Sequence, residues 1–498
     1  MNLKFYKTVT CRVVTLVTAL IAGCVSLKLY SHYLPVEVYG VVVVALQILN
    51  YLPFLDGGFR TTTNREILAS ETREAKMRMI RFAQTFYSHF TILFLPLALL
   101  LMAGYSLTPN VTHAGQLRLF FLVVGLAGAI SMLGWAQIEL LIGLGEQANS
   151  FLLLALNSCV MLGTLWFFLH QGAGIWAFPF STLGGFGVCY PVALWLIRRK
   201  EPAIQFFCFR ANAEVWSELR RLWPDAWSCI RQQVSIVVLS SLDVVLVGLI
   251  CGTKDAAIYS VVSRLLGLVR SLLQTTGEAA WPIVAQRNGT DHAFAAFLLR
   301  SNGWAIGSVV GALLLTLRPF LIFYMGAAWA PPQILVVILT GRLLIAGLSS
   351  PAGYLLMGAG HFKTIARYIL RELIAATILG VLLGIKFGMI GVAVGFLAAI
   401  AFGEFFQMFY AYGKSVKSSG GRFMWQAWWR GVLACAVSFS VAAALLPLAR
   451  STWLVFIVGV VATLTALASG VAICVFRFRS TGSRGSFRSR VDEVMANI

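Results

Sequence analysis

Long apolar runs alternate with short polar connections along the whole chain. Fourteen runs stand out, at about 10–31, 36–57, 82–105, 116–143, 149–170, 174–197, 230–252, 256–285, 301–318, 332–358, 366–386, 389–412, 429–449 and 453–476. A helix crossing a hydrocarbon core of roughly 30 Å needs about 20 residues, and the runs cluster around that length. The pattern predicts an all-α polytopic membrane protein with about 14 transmembrane helices.

The pair of runs between 230 and 285 carries the most unusual residues. A short polar turn at Gly252–Asp255 separates them, and each holds ionisable groups far from its ends: Asp243 in the first, Arg264 and Arg270 in the second. Asp243 lies nine residues before Gly252 and Arg264 nine after Asp255. In an antiparallel hairpin these positions share a depth, which predicts an ion pair inside the membrane. Arg270 sits about 9 Å deeper and about 120° further round the helix. Charged groups within membrane spans are costly and mark functional sites by default. On that ground Arg342, ten residues into the run at 332–358, joins the candidates.

Charge sorts the connections. With the N-terminus inside, one side collects 30 of the 39 Lys and Arg residues and the other only six: Lys28, Arg118, Lys254, Arg318, Lys386 and Arg450. This bias predicts that both termini are cytoplasmic. The connection at 198–231 shows helical spacing of Trp216, Leu219, Leu222 and Trp223, which predicts an amphipathic helix on the inner membrane face. It divides the chain into a six-helix bundle at 1–197, an amphipathic linker at 198–229, a second six-helix bundle at 230–413, two additional helices at 414–476 and a basic tail at 477–498.

The two halves are related. Residues 14–46 laid on 234–266 without a gap pair Val14 with Val234, Val25 with Val245, Leu29 with Leu249 and Tyr39 with Tyr259, among eight identities. LLIGLGE at 140–146 resembles LLMGAGH at 355–361. Two six-helix pseudo-repeats around a central cavity are a transporter plan, with substrate bound near the midplane between them. Gly23 aligns with Asp243, Val44 with Arg264 and Asn50 with Arg270, so these charges belong to one half alone.

Composition narrows the function. The chain is 59% apolar and 12% charged, against about 25% charged in soluble proteins. The net charge of +20 is spread over short loops, which indicates membrane topology and no nucleic-acid partner. Nine cysteines form no CxxC pair and six histidines no HExxH, so neither a metal nor a cofactor is expected. No GxxxxGK[ST] loop is present, which excludes ATP hydrolysis by that route. The first apolar run is too long for a signal-peptide core and reads as a retained helix.

LPVEVYGVVVVALQILNYLPFLDGGFRTTTNRE at 34–66 resembles the second span and following loop of the oligosaccharide flippases. The segment 242–285, with Asp243, Gly248, Tyr259, Arg264-Leu265 and Pro282, is similar to their seventh and eighth spans. These proteins form part of the multidrug/oligosaccharidyl-lipid/polysaccharide exporter superfamily. The resemblance implies a transporter, not an enzyme, of the bacterial cytoplasmic (inner) membrane. Its substrate would be an undecaprenyl-pyrophosphate-linked oligosaccharide repeat unit, moved by alternating access for O-antigen or another surface polysaccharide. Membrane lipids, a coupling sodium ion or proton, and polysaccharide polymerase machinery are the further partners expected. Arginine stays charged and grips phosphate through a fork of donors, so Arg264, Arg270 and Arg342 are the expected substrate contacts. Asp243, Asp56, Glu139 and Glu404 are the expected structural or coupling charges.

Two other readings compete. An ion-coupled multidrug exporter of the same superfamily should line its cavity with carboxylates, whereas the deep charges here are mainly arginines. A membrane-bound sugar polymerase or ligase should carry a large external loop, and no external loop here exceeds about a dozen residues.

Overall fold

The computed structural model describes residues 3–51, 59–70, 72–106, 114–201, 213–286, 292–359, 361–415 and 419–480. All long elements among them are helices: α1 (Leu3–Tyr33), α2 (Val36–Tyr51), α3 (Phe59–Ala69), α4 (Arg73–Ser106), α5 (Ala114–Gly143), α6 (Gln147–His170), α7 (Ala177–Lys200), α8 (Ala213–Cys251), α9 (Thr253–Gln286), α10 (His292–Met325), α11 (Gln333–Gly358), α12 (Phe362–Ile400), α13 (Phe406–Ser415), α14 (Gly420–Leu445) and α15 (Thr452–Ser480). Each predicted apolar run falls on helix over its described residues. Among those residues nine helices are long and apolar enough to cross a membrane, and Val36–Gln47 and Ser241–Cys251 are shorter apolar stretches. Large apolar side chains such as Leu382, Ile385 and Trp453 stand exposed on these helices. That is the surface of a multi-pass membrane protein, whose outer solvent is lipid.

Several helices run past their apolar runs. α8 begins at Ala213, so the amphipathic segment and the seventh run form one helix. Leu222 is buried there and packs with Leu219 and Val215 in a core that includes Ile67, Met79 and Phe82, while Trp216 and Trp223 remain exposed. The face read as membrane-seeking is therefore partly spent on neighbouring helices. α3 is a second addition, a short helix too polar to register as an apolar run.

α12 reverses at Gly388, where φ is +61°. A left-handed backbone costs an L-residue with a side chain, and glycine adopts it freely. The break separates the runs at 366–386 and 389–412 where the sequence separates them. The two arms then close on glycine: a Cβ at Gly391 would collide with the Leu383 carbonyl, and one at Gly395 with the backbone at Gly380.

The helices group into two compact units. The larger holds Tyr6–Leu265 with Ile369–Phe396; the other holds Met1–Phe5, Leu266–Tyr368 and Leu397–Ile498. The tightest seam of the second unit joins α10 to α14. Gly303, Gly307 and Gly311 of α10 lie on the carbonyls of Ala427, Gly431 and Cys435, each so close that a Cβ would overlap the oxygen. Lipid tails are as apolar as leucine, so helices in a bilayer associate by close backbone packing, and small residues four apart permit it. α15 completes the group, with Gly470 against the Trp304 ring and Gly459 against Thr316.

Candidate functional site

The charges singled out in the 230–285 hairpin lie in two environments. Asp243 on α8 is fully buried. Its Oδ1 accepts the Val244 backbone N–H at 2.8 Å and its Oδ2 accepts the Tyr259 hydroxyl of α9 at 3.1 Å. A buried carboxylate needs such donors, because an unsatisfied charge in a low dielectric costs several kcal/mol.

Arg264 is not its partner. Nη1 of Arg264 donates to the Tyr39 hydroxyl of α2 at 3.3 Å. Tyr39 is itself fully buried, with its ring 5.0 Å from that of Tyr30 on α1. Among the described residues no ion pair joins Asp243 to Arg264, which corrects the expectation from equal depth. The reason is azimuth. Tyr259 and Arg264 are five residues apart on α9, about 140° round a helix of 3.6 residues per turn. Asp243 engages the Tyr259 face, so the guanidinium leaves on another and meets α2. Both tyrosines occupy matched positions in the sequence repeat. One donates to the anion and the other accepts from the cation.

The same end of α2 meets the α8–α9 turn. A Cβ on Gly40 would overlap the Thr253 carbonyl, so glycine is needed for the approach. Glu37 and Lys254 pair across it at 3.5 Å, both exposed and therefore contributing little.

At the far end of α8, charges gather on its N-terminal extension. Arg221 bonds Glu218 at 2.7 Å and Glu66 of α3 at 3.0 Å, and Arg78 of α4 lies 3.5 Å from Glu218. The Glu218 hydrogen bond, with Glu66 beside it, holds the Arg221 guanidinium above its ordinary pKa. Phe59 of α3 packs 6.0 Å from the Trp223 ring.

Of the other predicted residues, some belong to the second unit and some lie outside the described ones. Arg270 on α9 and Arg342 on α11 belong to the second unit and are half-buried. Arg270 makes no ion pair among the described residues. Asp56 and the tail from 481 onward lie outside the described residues. Glu139 sits on α5 and Glu404 on a π-helical turn, Ala401–Phe405, but their side chains lie outside the described ones. Such turns interrupt helices and often accompany functional sites. Among the described residues no His, Cys, Asp and Glu cluster could hold a metal.

The sequence reading missed the two tyrosines as charge partners, although their match across the repeat was a usable signal. It also missed a group of neutral polar residues on α3, α4 and α5: Thr63, Gln84 and Gln137 are all buried. Amides inside apolar runs were their signal.

No curated protein sequence matches the chain. Among solved structures, it is similar to the lipid II flippase MurJ in an inward closed conformation, at 14% identity and a TM-score of 0.66, covering 96% of this chain and 100% of that one. It is also similar to a multidrug resistance MATE family transporter of the MOP superfamily in its inward-facing conformation, at 16% identity and a TM-score of 0.58, covering 82% and 99%. The outward-facing conformation of a MATE family transporter gives 13% identity and a TM-score of 0.54, covering 84% and 98%. At such identities the likeness is one of fold, and the fold is that of the MOP-superfamily transporters. A family model described as polysaccharide biosynthesis protein matches residues 7–287, more than half of the 498. The chain belongs to the polysaccharide biosynthesis protein family.

Proposed function

We propose that this protein carries an undecaprenyl-pyrophosphate-linked oligosaccharide repeat unit from the cytoplasmic to the outer leaflet of the bacterial inner membrane. It works by alternating access and supplies a surface polysaccharide. The observation that carries the reading is the state of Arg264. Its hydrogen-bond partner within the membrane is a neutral tyrosine hydroxyl, so the cation keeps its charge for an anionic ligand. A diphosphate cannot cross hydrocarbon unescorted, and guanidinium matches its oxygens in a bidentate fork. Arg270 and Arg342 are proposed as further contacts, and Asp243, Asp56, Glu139 and Glu404 as structural or coupling charges.

Family membership supports a polysaccharide substrate over a multidrug one. A coupling cation, sodium or proton, and association with polymerase machinery belong to the same proposal, as do cytoplasmic termini. Reporter fusions after residues 110, 254 and 450 should read outside, and fusions after 70, 215 and 485 inside.

The test of the substrate role is surface polysaccharide in cells carrying variants of Arg264, Arg270 and Arg342, with the lipid-linked intermediate measured alongside. Lysine keeps the charge and loses the fork; glutamine loses both. Activity should fall in the order Arg, Lys, Gln at constant protein level, and the intermediate should accumulate. Full activity of all three Gln variants, alone and combined, removes arginine from the phosphate role.

A further inference from the structure

The last turn of α7 carries three consecutive basic residues, Arg198, Arg199 and Lys200. Two carboxylates stand beside them, and both are engaged elsewhere. Glu146 pairs with Lys200 at 2.8 Å, and Glu201 pairs with Arg73 of α4 at 3.4 Å. Arg199 makes no ion pair or hydrogen bond among the described residues. Its guanidinium lies over the Trp195 ring one turn earlier, with Cζ 4.5 Å from the centroid.

That ring is 55% exposed. It belongs to a stripe of Val188, Pro191, Trp195 and Arg199, spaced three to four residues apart and exposed throughout. Side chains so spaced share one helix face. α7 is long and apolar enough to cross a membrane, so an exposed apolar face on it meets lipid. Ala177 and Trp195 lie about 27 Å apart along the axis, close to the roughly 30 Å of a hydrocarbon core. Trp195 therefore stands at the interfacial level, where indoles gather. Arg199, about 6 Å further along, stands among the headgroups.

A guanidinium stacked on a ring uses its face and keeps the N–H donors in its plane. Those donors can take two phosphate oxygens at once. The stack also holds the charge along the lipid-facing surface, in place of a side chain extended into water.

We propose that Trp195 and Arg199 form a binding site for an anionic phospholipid. Its phosphodiester takes the Arg199 guanidinium, and its acyl chain lies along Trp195, Pro191 and Val188. Charge selects the occupant. A zwitterionic lipid brings its own cation to a surface that already holds Arg198 and Lys200; an anionic lipid brings none. Under the topology proposed above, the leaflet is the cytoplasmic one.

Quenching of Trp195 fluorescence by brominated lipid tests this. The full-length protein is reconstituted into phosphatidylethanolamine vesicles containing dibrominated phosphatidylglycerol or, at the same mole fraction, dibrominated phosphatidylcholine. Subtracting the emission of Trp195→Phe, which keeps a ring under the guanidinium, isolates Trp195 among the 14 tryptophans. Phosphatidylglycerol should quench it several-fold more, the enrichment a basic side chain gives at an anionic surface. Arg199→Gln should abolish that preference, and a preference that survives in it overturns the site. Equal quenching of the wild type by both lipids overturns the proposal and leaves lipid here as solvent alone. Quenching by neither overturns it as well and puts protein over this face. A further arm adds unbrominated polyprenyl diphosphate. Relief of quenching beyond that given by the same amount of unbrominated phosphatidylglycerol makes the ligand a diphosphate lipid and overturns the phospholipid. If Arg199→Gln does not reconstitute, Arg199→Lys keeps the charge without the fork; its preference should drop, and an unchanged one overturns the site.

Discussion

Two helix junctions in this protein solve the same problem by opposite means. The α10–α14 seam turns on glycine along its middle. Three glycines on one helix rest on three carbonyls of the other, and contact is backbone to backbone. The junction of α2 with α8 and α9 is built from polar groups, with Asp243 on Tyr259 and Arg264 on Tyr39. In a bilayer neither can rely on the hydrophobic effect to hold helices together. The glycine contacts have one geometry, since a glycine has no side chain to rotate. A hydroxyl can turn and change partner, so the polar junction can hold charges in place and still release them. The difference is between a contact fixed by backbone and one held by side-chain hydrogen bonds.

The strongest way to break this contrast is to put a side chain into the glycine seam. Gly307→Leu must push α14 away, because the Gly431 carbonyl occupies the space a Cβ would take. Overpacking costs about 3 kcal/mol at the high end, and here no rotamer relieves it. The variant should lose its monodisperse peak in detergent, with thermal unfolding lowered sharply. Gly163→Leu is the control, since Gly163 on α6 has open space around it, and it should behave as wild type.

Next in size is the polar junction's anion. Tyr259→Phe leaves buried Asp243 without its hydroxyl donor, and hydrogen bonds to charged groups contribute about 1.5–3 kcal/mol. Adding Asp243→Asn should recover part of the loss in thermal unfolding. A double variant worse than the single by the full cost of each would separate the two residues.

A smaller effect is expected where the cation meets Tyr39. Tyr39→Phe should lower stability by about 1 kcal/mol. It should also reduce surface polysaccharide, with Arg264 unchanged in sequence but less well held. Variants at Arg264 and Tyr39 should couple by about 0.5 kcal/mol or more, while Arg264 and Asp243 should couple less. The reverse order would restore the ion pair that equal depth predicts.

The least effect belongs to the surface network. Arg221 is half-exposed, so Arg221→Gln should cost about 0–1 kcal/mol despite two ion pairs. A larger loss would place the α8 extension among the parts that hold the fold together.

Much of the architecture was legible because the signal is long and redundant. Runs of some twenty apolar residues survive any single misjudged position, and the break before Met389 falls where two runs were separated. Depth was legible too, since rise per residue is constant. Azimuth was not. It depends on which face each helix buries, and Asp243 with Arg264 shows how equal depth can mislead. α3 was missed because eleven residues of mixed polarity carry no membrane signal. The glycines at 303, 307 and 311 were plain in the chain, but nothing in their spacing says which of many helices they face.

That last pairing has a consequence for biosynthesis. α10 emerges from the ribosome long before α14, with 124 residues between Gly303 and Ala427. At translation rates of about 5–20 residues per second, the glycine face of α10 waits roughly 6–25 s for its partner. During that time lipid must cover a surface shaped for a backbone. A chain stopped short of residue 420 would never leave this state, so trimming the last two helices should yield a protein that inserts but does not mature.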